Sequence, residues 1–463
     1  MDALTGLLGD EATVVPIADR ARYLADWSRD LKGLARTVIR PRSAAEVALV
    51  VQECLARGLP IVPQGGHTGL VGGATPSGDG TEVVISLERL NAIREIDAVN
   101  FSMIAEAGCI LQNIHAAALA RDCLFPLQLG AQGSCQIGGN IATNAGGINV
   151  IRYGMTRDLV LGLEVVLPDG RIWNGLRKLR KNNTGYDLKQ IFLGSEGTLG
   201  IVTAACLKLF PKPNQTETAL VAVGSPQAAI ALLGRARRDL SDLLSAFELL
   251  PRRGVELALG VMPGLRDPLR TPSPYYILME TSASGLVDLR SLIEQFLGGA
   301  MASDLVSDGT IAANVAQASE FWRIREGMIE AQVQRGRHLR TDVSVPISSI
   351  AAFLETADAD LRRIGPDVIP IAFGHLGDGN IHFNVIPPAT LDESAKTTLL
   401  RSCENIIFEI VDQLGGSISA EHGIGRVKRD AFLSRSTALD TTLLRGIKKV
   451  FDPSGLMNPG RMV

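Results

Sequence analysis

The stretch PQGGHTGLVGG, residues 63–73, follows directly on the apolar run LPIV. Its glycines at 65, 66, 69, 72 and 73 carry no side chain, so several main-chain N–H groups can turn toward one point. Such a nest of N–H groups binds phosphate. Two further glycine clusters occur: GAQGSCQIGGNIATNAGG, residues 130–147, and GSEGTLG, residues 194–200. The first of these adds Ser134, Asn140, Thr143 and Asn144 as side-chain hydrogen-bonding groups. One such run alone reads as a tight loop. Three, each flanked by strand-like segments, read as loops converging on one long phosphate-bearing ligand. The sequence has neither Gly-x-Gly-x-x-Gly nor Gly-x4-Gly-Lys-Ser/Thr, which excludes the dinucleotide fingerprint and the P-loop.

Working outward, a helix is predicted C-terminal to Pro41. Ser43 is its N-cap, Glu46 takes the third position, Val47, Val50, Val51 and Leu55 give the spacing, and Gly58 stops it. Strands are predicted over 59–64, 82–87 and 160–167. The polar, proline-rich segment PKPNQT, residues 211–216, marks a domain boundary. Beyond it, helices are expected over 226–240, 284–298, 314–336, 346–364 and 391–414, with strands at 218–223, 275–281 and 381–386. That order implies an antiparallel sheet with helices on one side. The expected division is a helical lead-in at 1–35, a first domain at 36–213, a second at 214–422 and a returning tail at 423–463.

Composition narrows the function. A length of 463 residues fits two or three domains. Lys plus Arg total 46 against 49 Asp plus Glu, so the chain lacks the basic footprint of a nucleic-acid binder. Six cysteines without a Cys-x-x-Cys pair read as buried, reduced thiols. No apolar run reaches the roughly 18 residues of a membrane span, and the N-terminus lacks the basic start and apolar core of a signal peptide. A cytoplasmic protein is expected, or a trimmed one of the mitochondrial matrix.

Six histidines are few enough to follow singly. His115 lies in a helical pattern and reads as structural, and His338 lies in the basic stretch RGRHLR. GHLGDGNIHFN, residues 374–384, holds His375 and His382, and AEHGIG, residues 420–425, holds Glu421 and His422. Alternation along 381–386 sets Ile381, Phe383 and Val385 on one face and His382 with Asn384 on the other. Gly377 and Gly379 allow His375 to fold back toward His382. With Glu421, these histidines make a two-histidine, one-carboxylate set suited to Zn²⁺ with open positions; packed histidines are the alternative. His422 has the pKa range of a general base near neutrality.

Taken together, PQGGHTGLVGG, GSCQIGGNIATNAGG, RYGMTRDLVLGLEVVLPDG and LRKNNTGYDLKQIFLGSEGTLGIVT resemble the vanillyl-alcohol oxidase / p-cresol methylhydroxylase superfamily. Within it the chain is most similar to the FAD-linked D-2-hydroxyacid dehydrogenases, from about residue 35 to Pro459. The resemblance implies an α+β fold: a two-subdomain FAD-binding domain of the p-cresol methylhydroxylase type, an α+β substrate (cap) domain with an antiparallel sheet, and a C-terminal helical segment. It implies FAD, with Pro63, Gly65, Gly66, His67, Thr68, Gly69 and Leu70 of the first loop around the cofactor. From the second loop it implies Gly130, Ser134, Gly138, Gly139, Asn140, Thr143, Asn144 and Gly146, at the pyrophosphate and adenosine end. Glu196, Gly200 and Ile201 then lie along adenine and ribose, and Asn458 reaches toward the flavin ring. Relatives usually carry asparagine at position 67. Other branches bond a histidine of this loop covalently to the flavin, whereas a histidine beside the cofactor without a bond is the expectation here.

The resemblance also matches His375, His382 and Glu421 to the family's metal site, with zinc the expected ion. The implied reaction chelates the C2 hydroxyl and C1 carboxylate of a D-2-hydroxyacid at the metal, moves the hydroxyl proton to His422 and passes the C2 hydride to flavin N5. Arg325 matches a carboxylate-binding arginine, and Arg340 stands where 2-hydroxyglutarate-type members have lysine, a cation suited to a distal carboxylate. Ile329, one turn from Arg325, replaces a threonine of that type. With Asn384 completing the substrate contacts, D-2-hydroxyglutarate or D-malate is expected. D-lactate, or a metal-free flavin oxidase reaction, is the alternative. Expected partners are the small hydroxyacid and an electron acceptor such as an electron-transfer flavoprotein or a quinone, with a homodimer as the assembly.

Overall fold

A computed structural model describes residues 14–463. The chain forms two compact units. The first takes residues up to Gly146, Gly154–Lys212 and Glu421–Val463; the second takes Gly147–Tyr153 and Pro213–Ala420.

In the first unit, β1 (Thr37–Ile39), β2 (Ile61–Gln64) and β3 (Val83–Ser86) form a parallel sheet in the order β1-β3-β2. The crossover from β1 to β2 is helix Ala44–Ala56. Ser43 Oγ accepts the Glu46 N–H at 3.2 Å, the Glu46 carboxylate accepts the Arg42 N–H at 2.8 Å, and Val47, Val50, Val51 and Cys54 face the core. The second sheet is antiparallel. It joins β4 (Ile93–Asp97), β5 (Ser102–Glu106), β7 (Val160–Val166), β8 (Ile172–Asn174) and β9 (Ile201–Lys208) in the order β4-β5-β9-β7-β8. A short pair, β6 (Cys123–Leu124) with β10 (Phe210–Pro211), sits apart from both sheets. The tail returns to the parallel sheet, where Met457 bridges Ile61 and the Asn458 N–H donates to Ile61 O at 2.8 Å.

The helical lead-in expected over 1–35 is only partly within the described residues. Residues 1–13 lie outside the described residues; after them, only a 3₁₀ turn at Ile17–Asp19 and the single turn Ala21–Leu24 are helical. The polar residues that follow bond locally instead: the Asp26 carboxylate accepts the Leu31 N–H at 2.9 Å and holds a turn that competes with helix.

The second unit is built on seven strands. β11 (Gln215–Val223), β12 (Leu244–Pro251), β13 (Tyr275–Ala283), β14 (Asp308–Ile311), β15 (Val343–Ser344), β16 (Ile369–His375) and β17 (Asn380–Ile386) pair antiparallel in the order β14-β11-β13-β12-β16-β17-β15. Helices Arg252–Val261 and Val315–Gln334 pack on one face, around Leu250, Val255, Tyr276, Phe321, Met328 and Phe373. Helix Ile350–Ile364 packs on the other, where Phe353 meets Phe383 edge-on with centroids 5.6 Å apart. Helices therefore cover both faces, not one. The burial of β12 gives the reason, since Leu244–Leu250 is buried without interruption and such a strand needs cover on each side. The helix expected over 284–298 starts later, at Leu289, because Asp288 caps it by accepting the Ser291 N–H at 3.1 Å. All six cysteines are free and buried. Among the described residues, no helix is long and apolar enough to cross a membrane.

Candidate active site

In the first unit the glycine loops line one cavity. Its walls include Pro63, Gly65, Gly66, His67, Thr68 and Gly69 of the first loop, Gly138, Gly139, Asn140 and Thr143 of the second, and Glu196, Gly200 and Ile201 of the third. His422 also lines it. Close main-chain packing builds the cradle: a Cβ on Gly66 would lie 2.2 Å from Ser134 O, and one on Gly138 would lie 2.6 Å from Ala107 Cβ. At Gly139 no atom lies within 4 Å of that position, so the main chain there is bare toward open space. Gln136 Oε1 and Asn140 Oδ1 are buried acceptors without a protein partner. Bare glycine main chain together with orphaned acceptors fits a polar cofactor such as FAD. The expectation had not named Gln136.

For several residues expected at the cofactor, the contacts shown are within the protein. Leu70, Gly130, Ser134, Asn144, Gly146 and Asn458 are not in the cavity wall. Ser134 contributes its carbonyl as the surface against which Gly66 packs. Asn144 adopts φ +50° after helix Ile137–Thr143, and its Oδ1 accepts the Arg157 N–H at 2.9 Å. Asn458 ties two loops together, donating through Nδ2 to Gly73 O at 3.0 Å and Glu196 O at 2.7 Å. Glu196 does line the cavity, and its carboxylate accepts the N–H groups of Ile424 and Gly425, both at 2.7 Å. Burial pushes its pKa up, and those two hydrogen bonds and the Lys428 charge offset this only in part.

His67 stands at φ +56°, and both its ring nitrogens have hydrogen-bond partners: Nδ1 with Arg22 O at 3.2 Å and Nε2 with Thr75 Oγ1 at 3.0 Å. Burial lowers its pKa, against the opposing effects of the Arg22 carbonyl and Asp26. His115 is structural, bonded through Nε2 to Leu127 O at 2.7 Å.

In the second unit, the β16–β17 hairpin carries His375, His382 and Asn384. Gly379 turns it at φ +89°, where a Cβ would lie 2.4 Å from Val345 O. The imidazoles of His375 and His382 stand edge to face with centroids 5.5 Å apart. His375 Nδ1 meets Glu248 Oε1 at 2.6 Å, and Arg325 Nε donates to Glu248 Oε2 at 2.9 Å. Glu248 is fully buried; burial raises its pKa, but the His375 and Arg325 charges and hydrogen bonds outweigh that and hold it at about 2. The ionised carboxylate accepts, so His375 Nδ1 carries a proton. Arg325 also lies over the Phe373 ring, 4.5 Å from its centroid. Asn384 donates to Gln332 Oε1 at 2.8 Å, while its Oδ1 is buried without a partner. Arg340 is half-buried and donates through Nε to His338 Nε2 at 3.1 Å; among the described residues no carboxylate pairs with it.

Asp342 was not anticipated as a site residue. It is fully buried, accepts from Asn380 Nδ2 at 2.8 Å and lies 3.9 Å from His382 Nδ1. Its carbonyl accepts the N–H of Ala420 at 3.2 Å, and Glu421 and His422 are the next two residues of the chain. Asp342 and His382 of this unit are ligand-type side chains suited to a metal ion. His382 was expected in that role. His375, also expected in that role, is not among them.

Comparison with known proteins agrees with an FAD site. Residues 212–462 match the family of FAD linked oxidases, C-terminal domain, and residues 35–175 match an FAD binding domain family. The mitochondrial D-2-hydroxyglutarate dehydrogenase of Arabidopsis thaliana is 40% identical over 439 residues, 95% of this chain and 77% of that protein. The D-2-hydroxyglutarate dehydrogenase of Xanthomonas citri pv. viticola is 40% identical over 448 residues, 96% of this chain and 93% of that protein. Among solved structures, substrate-bound p-cresol methylhydroxylase matches with a TM-score of 0.77 at 16% identity, covering 99% of this chain and 95% of that one, a likeness of fold alone. The chain belongs to the FAD linked oxidases, in their branch of FAD-dependent D-2-hydroxyacid dehydrogenases.

Proposed function

We propose that this chain oxidises a C4–C5 dicarboxylic D-2-hydroxyacid, D-2-hydroxyglutarate or D-malate, to the 2-oxoacid. The observation that carries this reading is the pair of arginines in the second unit. Arg325, anchored at Nε, has no protein partner on its other two nitrogens among the described residues, and Arg340 has no carboxylate partner. Two cations suit two carboxylates, and a monocarboxylate such as D-lactate uses one. The names of the relatives at 40% identity point the same way.

The glycine loops and the orphaned acceptors Gln136 and Asn140 hold FAD, which when bound supplies the acceptor for the C2 hydride. Because both nitrogens of His67 are engaged by Arg22 and Thr75, the flavin is held without a covalent bond to it. His375, His382 and Glu421, with Asp342 beside them, hold a divalent ion, Zn²⁺ by donor type, whose Lewis acidity lowers the pKa of a hydroxyl. Asn384 Oδ1 accepts from the substrate, Arg325 and Arg340 fix its carboxylates, and His422 takes the hydroxyl proton. Reoxidation passes to an electron-transfer flavoprotein or a quinone, in the cytoplasm or, as the name of the Arabidopsis relative suggests, the mitochondrial matrix.

The test is a dye-reduction screen of D- and L-2-hydroxyacids, with metal content measured on the same sample. D-2-hydroxyglutarate and D-malate should lead, EDTA should abolish the activity and Zn²⁺ should restore it. Arg340→Ala should raise KM for the diacid by about 10–100-fold, from the roughly 1.5–3 kcal/mol of a hydrogen bond to a charged group, and leave D-lactate little changed. A higher kcat/KM for D-lactate, or equal effects of Arg340→Ala on both substrates, would overturn the diacid reading. Acid precipitation should leave all yellow colour in the supernatant.

A further inference from the structure

β12 reads Leu-Ser-Ala-Phe-Glu-Leu-Leu-Pro, and its one ionisable residue, Glu248, is 0% exposed between Phe247 and Leu249. A carboxylate buried there without partners would cost several kcal/mol. Its partners come from two other elements. The β12–β16 register sets Glu248 opposite His375, and helix Val315–Gln334 brings Arg325 over the Phe373 ring beside it. Each oxygen serves one of them: Oε1 meets His375 Nδ1 and Oε2 accepts from Arg325 Nε.

We propose that Glu248 is a positioning residue shared by the metal site and the substrate-carboxylate site, fixing His375 and Arg325 with one buried carboxylate. The inference rests on the metal and substrate roles proposed above. Glu248 has both oxygens committed, so it touches neither metal nor substrate. Its bond at Nδ1 holds a His375 proton there, so that Nε2 is the nitrogen a metal would take, the arrangement in which a carboxylate behind a histidine raises its basicity toward a metal. Its bond at Nε fixes the Arg325 guanidinium by one edge and leaves the opposite edge for a carboxylate. A change at this one side chain should therefore move metal affinity and substrate KM together.

The experiment uses the full-length, FAD-loaded protein stripped of metal and titrated with Zn²⁺ against a competing chelator. Steady-state kinetics on D-2-hydroxyglutarate follow at saturating Zn²⁺. Glu248→Gln keeps the shape and removes the charge. It should weaken Zn²⁺ binding by about 10–100-fold, the usual effect of losing a carboxylate behind a metal-bound histidine, and raise KM several-fold with FAD content unchanged. A folded Glu248→Gln protein with wild-type Zn²⁺ affinity and wild-type KM, even if less stable, overturns the proposal and assigns Glu248 to the core alone. If Glu248→Gln does not fold because Arg325 is left unpaired, the double variant Glu248→Gln, Arg325→Met removes both charges and carries the same Zn²⁺ readout. Failure of the underlying reading looks different: His375→Ala then binds Zn²⁺ as tightly as wild type, or wild type binds none.

Discussion

Glu196 of the first unit and Glu248 of the second are both buried glutamates, and their surroundings treat them in opposite ways. In the first, Glu196 receives two main-chain N–H groups and remains a carboxyl whose pKa burial drives upward. In the second, Glu248 receives a histidine and an arginine and is held at about 2. The contrast extends to the walls around them. The first unit shapes its cavity with bare main chain, so its geometry depends on residues that lack side chains. The second shapes its site with side-chain charges spread over β12, β16, β17 and one helix, so its geometry depends on charge being matched. A change of one methyl group threatens the first, and a change of one charge threatens the second.

The sharpest way to break this comparison is Gly66→Ala. The new Cβ would meet Ser134 O at 2.2 Å and Cys135 Cα at 2.9 Å, both main-chain atoms that cannot swing aside. Stability should fall by roughly 1–3 kcal/mol, and purified protein should carry less FAD, read from its visible absorbance. Full FAD content with an unchanged Tm would mean that the loop is not closely packed after all. Glu196→Gln should do less. It leaves one acceptor for Ile424 and Gly425 and sets an NH₂ against the other N–H, at a cost of about 1–3 kcal/mol. The loss should appear as a lower Tm and as slower anaerobic flavin reduction, since the loosened turn follows His422 directly. An unchanged reduction rate would separate Glu196 from the His422 loop.

The smallest effect is expected from His67→Asn, read as a pH dependence. Burial places the folded-state pKa of His67 below its ordinary 6.5. As pH falls through 6.5 the unfolded chain takes up the proton first, so wild-type protein loses stability there. His67→Asn lacks that titration, and the gap in Tm between pH 7.5 and pH 5.5 should be smaller than in wild type. An equal gap would place the titrating group elsewhere.

Legibility in the sequence follows the range of the interaction. Helix Ala44–Ala56, with its Ser43 cap, rests on contacts between near neighbours and is read directly. So is the shared face of His382 and Asn384, which needs only strand alternation. The three glycine loops were legible as loops, but which side chains look into the cavity was not. Asn144 and Asn458 look the same in sequence as Asn140, yet they serve as a cap and a tie between loops. Glu248 was invisible because its meaning lies in a partner 127 residues away; within β12 it looks like a lone polar residue in an apolar run. Asp342 was hidden for the same reason, since only the fold brings it beside His382.

The tie made by Asn458 has a consequence for biosynthesis. Its side chain closes the first glycine loop from 385 residues farther along the chain, and the third loop from 262 residues farther along. At a ribosomal rate of roughly 5–20 residues per second, the first loop waits on the order of 20–80 seconds after emerging before its clasp exists. Nearly all of the second unit is translated in that interval. Cofactor capture that needs this clasp is therefore a late event in the life of a newly made chain, possible only once Asn458 has been made.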